Sequence, residues 1–151
     1  MLSEMLDTPN DFQDENEEDF RYIQGDRVFL FEIKGSVRNL KREQITKTDS
    51  HVQMYLDENE NNELAVPPKG VLIFSGQIER APREREPYPD NQIKLAIRND
   101  VAVVSAELFL QIYEGVLDGL MTKEELLDLL WNCNGELVLA DLPDNIQKLH
   151  R

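Results

Sequence analysis

The chain of 151 residues carries 30 acidic and 16 basic side chains, so its formal net charge is −14. A hydrophobic fraction of 40 % and a charged fraction of 30 % are typical of one globular domain. No apolar run reaches the roughly 20 residues of a membrane helix, and the N-terminus lacks the pattern of a secretory signal. The single cysteine, Cys133, excludes an internal disulfide. We therefore expect a cytoplasmic protein with no membrane partner, whose average surface repels nucleic acid.

Composition divides the chain into three parts. Residues 1–16 form an acidic N-terminal segment, which we interpret as the remnant of a longer N-terminal part. Residues 17–135 alternate apolar and amphipathic stretches, which predicts an α/β domain. Residues 136–151 are expected to form a C-terminal tail that holds one short apolar run and then frays.

The predicted elements begin with a hairpin. Residues 20–23 and 27–34 have the composition of strands, and a glycine-containing turn separates them. Four consecutive apolar residues in the second strand predict that both of its faces are covered. Because side chains alternate along a strand, Glu32 and Lys34 share one face, opposite to that of Ile33.

A crossover unit follows the hairpin. Apolar residues recur at helical spacing over residues 41–59, and an apolar run at 69–74 predicts a third strand. A helix between two buried strands implies that the strands pair in parallel. Residues 78–91 are expected to be a loop, residues 93–97 a short helix and residues 101–104 a fourth buried strand.

The last predicted elements are two helices. Ser105 has the position of an N-cap for the first, and Thr122 with Glu125 has the spacing of a capping box for the second. Gly135 is placed to end the second helix. The whole pattern predicts an α/β fold, a small mixed sheet flanked by helices.

Acidic and basic side chains converge at one end of the predicted hairpin. The hairpin brings Asp19 to the end of the sheet that holds Glu32 and Lys34. Two carboxylates and the backbone carbonyl of Ile33 form an oxygen-rich site suited to Mg²⁺ or Mn²⁺. Such a metal activates water and polarises a phosphoryl oxygen, while Lys34 would orient the water or stabilise charge on phosphorus. The alternative is a Glu32–Lys34 ion pair with a structural role.

These residues carry a resemblance to a known family. The chain resembles the PD-(D/E)xK, or restriction endonuclease-like, nuclease superfamily in Glu-Asp-Phe at 18–20, Phe-Glu-Ile-Lys-Gly at 31–35 and Lys-Gly-Val-Leu-Ile at 69–73. The resemblance extends from about residue 17 to about residue 130. It implies a restriction endonuclease-like fold and a Mg²⁺-dependent endonuclease that hydrolyses DNA. In that interpretation Asp19, Glu32 and Lys34 are catalytic, and Asp19, Glu32 and the Ile33 carbonyl bind the metal.

The chain also departs from the family pattern. Relatives usually have a helix before the aspartate that carries a further acid, and here residues 1–6 with Glu4 could only be its stump. Relatives with a Gln-x-x-x-Tyr motif on the crossover helix would show His51 and Tyr55 here, with histidine in place of glutamine. Gln53 is an alternative polar group, although it faces away from His51. We expect His51 to reach the site; the alternative is a surface histidine.

Two short basic stretches are candidates for phosphate binding. In the second stretch glutamates alternate with the arginines, so local ion pairing is an equally consistent interpretation there. The stretches consist of Lys41, Arg42 and Lys47, and of Arg80, Arg83 and Arg85.

Three functions remain open from the sequence. The first is a metal-dependent nuclease that binds DNA weakly alone, with further contacts from the basic stretches, a homodimer partner or additional domains of a longer protein. The second is a catalytically idle nuclease-like fold that acts as a binding or assembly module. The third is a purely structural domain.

Overall fold

The computed structural model describes residues 18–62 and 66–149. Five strands form one sheet in the spatial order β1 (Phe20–Gln24), β2 (Arg27–Gly35), β3 (Lys69–Ser75), β4 (Val101–Ser105) and β5 (Gly135–Glu136). The helices of the described part are α1 (Arg42–Glu58), α2 (Asp90–Arg98), α3 (Ala106–Leu117), α4 (Lys123–Asn132) and α5 (Asp144–Leu149). The predicted acidic segment 1–16, with Glu4, lies outside the described residues.

The sheet is mixed, because one hairpin is joined to a parallel series. β1 pairs antiparallel with β2, and β2, β3, β4 and β5 pair in parallel in that order. Gly25 turns the hairpin with a φ of 59°, a left-handed conformation that glycine adopts without strain. The predicted α/β class, the hairpin and the parallel crossover through α1 are confirmed.

The hydrophobic core lies on both faces of the sheet. Phe29, Phe31 and Val71 point to one face, where they pack with residues of α3, α4 and α5. Leu72 and Phe74 point to the other face and join a cluster that includes residues of α1 and α2. Strands that are covered on both faces need apolar side chains at successive positions, which explains the continuous apolar runs of β2, β3 and β4.

Two boundaries differ from the sequence prediction. Helix α2 begins at Asp90, three positions before the predicted start, with Pro89 as its N-cap residue. Gly135 does not end α4, which already ends at Asn132. Gly135 instead starts β5 with a φ of 90°, and a Cβ there would lie 2.7 Å from Ile97 Cγ1. Close helix–strand packing therefore explains this glycine.

The C-terminal residues as far as α5 belong to the core. The expectation that the tail frays is therefore wrong for these residues. Leu137, Leu142 and Ile146 are buried on the α3 side of the sheet. Ile146 lies against Gly115 of α3, where a Cβ would be 2.8 Å from its Cδ1. The missing side chain of Gly115 thus leaves the space that Ile146 fills. No described helix is long and apolar enough to cross a membrane.

Candidate functional site

Asp19 lies at the end of the hairpin, next to the strand that carries Glu32. The β1–β2 register pairs Phe20 with Phe31, so Asp19 comes opposite the segment that follows Phe31. Its Oδ2 accepts a 2.8 Å hydrogen bond from the backbone N–H of Ile33. The hairpin therefore brings Asp19 to the same end of the sheet as Glu32, as predicted.

The same hydrogen bond shows which way the Ile33 carbonyl faces. In an extended strand the N–H and C=O of one residue point to the same neighbour. Since the Ile33 N–H points to Asp19, the Ile33 C=O faces the edge of β2 that β1 leaves uncovered. Asp19 and this carbonyl consequently share one side of β2.

Glu32 is a buried carboxylate with a partner on each oxygen. The residue is only 3 % exposed. Its Oε1 lies 2.7 Å from Nζ of Lys47, and its Oε2 lies 3.2 Å from Nε2 of His51. Both partners are on α1, the crossover helix. The ion pair of Glu32 is thus with Lys47, and the alternative of a Glu32–Lys34 pair is wrong.

The pKa of Lys47 is affected by both carboxylates at the hairpin end, those of Glu32 and Asp19. The hydrogen bond to Glu32 raises the pKa of Lys47, partial burial lowers it, and the charges of Glu32 and Asp19 raise it further. The sequence placed Lys47 among the phosphate-binding candidates. In the structure its ammonium group instead neutralises Glu32.

Lys34 lines a pocket beside this carboxylate. The pocket has a volume of about 280 Å³ and is formed by Glu32, Lys34, Glu43, Gln44 and Lys47. Lys34 itself is exposed. Both lysines therefore border one solvent-accessible space next to Glu32.

The three residues of α1 considered as site-lining candidates, His51, Gln53 and Tyr55, have different environments. His51 is 4 % exposed, so the alternative of a surface histidine is wrong. Its Nδ1 is buried and has no hydrogen-bond partner among the described residues. Gln53 is exposed, as expected for the opposite face of the helix. The Tyr55 ring instead lies under the guanidinium of Arg21, at 5.3 Å.

Arg85 of the second basic stretch is engaged within the protein. It forms an ion pair with Glu107 of α3, and its Nη1 donates a 3.1 Å hydrogen bond to Ser75 Oγ. Arg80 donates a 3.3 Å hydrogen bond to Gln77 Oε1. Arg85 is therefore tied to a glutamate distant in sequence, whereas local pairing with the neighbouring glutamates was the alternative.

The remaining basic candidates are on the surface. Lys41 and Arg42 lie at the start of α1, and Arg83 lies in the loop after β3. All three are exposed. These side chains can meet a phosphate without first breaking an ion pair with Glu32 or Glu107.

The oxygen donors at the hairpin end suit a hard divalent cation. Mg²⁺ commonly binds through one or two carboxylates and keeps several waters. Asp19, Glu32 and the Ile33 carbonyl offer this donor set, and the Lys47 ammonium already supplies a positive charge there. Within the described ranges, no cluster of three His, Cys, Asp or Glu side chains forms a ready metal site. A cation would therefore be held by few protein ligands.

A second pocket, of about 320 Å³, lies beyond the ends of β3 and β4, and Arg85 of the second basic stretch lines it. Burial raises the pKa of Tyr88 in its wall, and the Tyr88 hydroxyl donates a 2.5 Å hydrogen bond to the Phe74 carbonyl. Burial also raises the pKa of Glu136. The carboxyl ends of parallel strands are a common ligand position.

Comparison of the chain with protein-family models, curated proteins and solved structures finds no significant match. The functional inference therefore depends on the side chains at the hairpin end.

Proposed function

We propose that the chain is a metal-dependent nuclease domain of the PD-(D/E)xK, restriction endonuclease-like type, which hydrolyses phosphodiester bonds in DNA. The hydrogen bond from the Ile33 N–H to Asp19 Oδ2 is the observation that carries this proposal. It holds one carboxylate against the strand on which Glu32 and Lys34 follow each other at acid-x-Lys spacing.

Each residue has a role in this proposal. Asp19, Glu32 and the Ile33 carbonyl would hold Mg²⁺ or Mn²⁺. The bound metal would act as a Lewis acid towards the phosphate and lower the pKa of a coordinated water. Lys34 would orient the attacking water or stabilise the charge on phosphorus. His51 would keep the Glu32 carboxylate in one orientation through its contact with Oε2.

DNA binding by this domain is expected to be weak. A net charge of −14 opposes the polyanion, and affinity depends on how many phosphates the protein neutralises. Lys41, Arg42 and Arg83 are the exposed candidates for that role. A homodimer partner or additional domains of a longer protein would supply the remaining contacts.

A plasmid-nicking assay tests the proposed activity. We expect nicking in Mg²⁺ or Mn²⁺, with loss of activity in Lys34→Ala and unchanged activity in Lys94→Ala. Lys94 is a suitable control because it is an exposed lysine on α2. Nicking that survives in Lys34→Ala would show that Lys34 is not catalytic.

Metal binding is tested separately by calorimetry in the absence of DNA. We expect Glu32→Gln to lose divalent-metal binding, because the amide removes one anionic ligand, while circular dichroism shows an unchanged fold. Metal binding in Glu32→Gln equal to that of the wild type would remove Glu32 from the site.

The idle-module function is the second candidate. It is favoured by the Lys47–Glu32 ion pair, which neutralises the carboxylate without a metal. Metal binding by the wild type without nicking would support this candidate over the nuclease.

A further inference from the structure

The two partners of the Glu32 carboxylate differ in how firmly they are held. The His51 side chain is 4 % exposed and lies between α1 and the sheet. The Lys47 side chain is 54 % exposed and reaches Oε1 of Glu32 from the solvent side. Oε2 therefore has a partner fixed in the interior, whereas the partner of Oε1 reaches it from the solvent side and can exchange with a cation that keeps the Glu32 charge compensated.

The ammonium group of Lys47 also lies where a metal ion bound by Glu32 would place its positive charge. Its Nζ lies 2.7 Å from Oε1 of Glu32, and the negative charge of Asp19 acts on the same ammonium group. A divalent cation that binds these two carboxylates meets the lysine charge in the same place. The ammonium and the metal are both positive, so they cannot favourably share Oε1.

We propose that Lys47 is a displaceable counter-ion of the candidate metal site. It neutralises Glu32 when metal is absent and gives up Oε1 when a divalent cation binds, while His51 keeps its hold on Oε2. This inference rests on the proposed metal site. Lys47 is here a positioning residue that acts through Glu32.

The structure provides a place for the released side chain. The pocket beside Glu32 is also lined by Lys34, Glu43 and Gln44, and it is open to Lys47. Lys47 itself lines this pocket, so we expect its released side chain to turn into it. The ammonium would then be near Lys34, where it is available to a phosphate oxygen.

Calorimetric titration of the full chain with Mg²⁺ and with Mn²⁺, without DNA, tests the inference. We expect Lys47→Met to bind metal about fivefold more tightly than the wild type, since the metal no longer displaces an ion pair. Lys47→Arg retains the charge and is expected to bind about as the wild type does. Lys94→Met is the matched control for loss of an exposed lysine and is expected to leave the affinity unchanged.

A second measurement follows the lysine directly. On addition of Mg²⁺, we expect the ¹³Cε and ¹⁵Nζ signals of Lys47 in the wild type to move towards those of a solvent-exposed lysine. Urea unfolding and circular dichroism of Lys47→Met establish that the variant is folded before it is titrated.

The outcomes separate this inference from the proposed function. Equal or weaker metal binding by Lys47→Met, with clear binding by the wild type, would overturn the counter-ion role and leave the metal site in place. No metal binding by either protein would overturn both the metal site and the counter-ion role.

Discussion

Nε2 of His51 lies 3.2 Å from Oε2 of Glu32, although 19 positions separate the two residues in the chain. Both side chains are buried, and His51 Nδ1 has no hydrogen-bond partner among the described residues. With a proton on Nε2, the imidazole donates this hydrogen bond to the carboxylate. The contact joins the crossover helix to the strand that carries the candidate site.

Replacement of His51 by leucine is expected to lower the free energy of unfolding by about 1–3 kcal/mol. The buried Glu32 Oε2 would lose its donor and remain unsatisfied. His51→Gln is expected to lose less, because an amide can donate to the same oxygen. Urea unfolding measures both changes, and Gln53→Leu on the exposed face of α1 is a control expected to change stability by no more than about 0.5 kcal/mol. An unchanged midpoint for His51→Leu would mean that the contact adds no stability.

The double substitution Lys41→Ala/Arg42→Ala is expected to weaken duplex DNA binding and its dependence on salt. Each exposed basic side chain that binds a phosphate contributes about 1 to the magnitude of the slope of log K against log salt concentration. The magnitude of the slope should therefore fall by about 2. Fluorescence anisotropy at several salt concentrations measures it.

Lys94→Ala/Arg98→Ala provides the matched control for that experiment. It removes the same charge from the exposed surface of α2. If it lowers the slope as much as the α1 variant does, the effect comes from overall charge and not from contacts at the start of α1.

The Cys133 thiol is expected to react slowly. Burial raises the pKa of Cys133 to about 11 from an ordinary value of 9.0. At about pH 8 the fraction of thiolate in the native protein is therefore about 100-fold lower than in the unfolded chain. The rate of alkylation by iodoacetamide, followed by mass spectrometry in buffer and in urea, should show this ratio; added glutathione controls for the effect of urea on the reagent. Comparable rates in both solutions would contradict the raised pKa of this half-buried thiol.

The same pKa shift of Cys133 has a consequence for stability. Because the folded state holds the proton more tightly, its contribution is complete below the ordinary pKa of 9.0 and is lost as pH rises through about 11. We expect Cys133→Ala to show a smaller fall in unfolding free energy over this interval than the wild type.

Replacement of Ile146 by alanine tests the packing of the C-terminal residues. Ile146 is fully buried against Gly115, so truncation is expected to cost about 2–4 kcal/mol of unfolding free energy. Thermal or urea unfolding measures the loss. Ile23→Ala, at a largely exposed position of β1, is the control and should cost far less. A similar cost at both positions would argue against a core role for α5.

Much of the fold could be predicted from the sequence because it depends on local patterns. The N-cap of α3 is an example: the Ser105 hydroxyl accepts a hydrogen bond from the Leu108 N–H, three residues away. Thr122 and Glu125 form the predicted capping box at the start of α4. The proximity of Asp19 to β2 was equally predictable, since a hairpin register needs only a short turn between two strands.

The sequence by itself determined the hairpin, the buried strands and the acid-x-Lys spacing, whereas only the tertiary structure decided the partners of the charged side chains. Glu32 pairs with Lys47 and His51 because α1 presents that face to the sheet. The rotation of a helix about its axis is set by how it packs against the whole core. The helical spacing of α1 describes only the helix side of that packing. The same reason applies to Ile146, whose burial depends on the space above a glycine that lies 31 positions earlier (146 − 115 = 31).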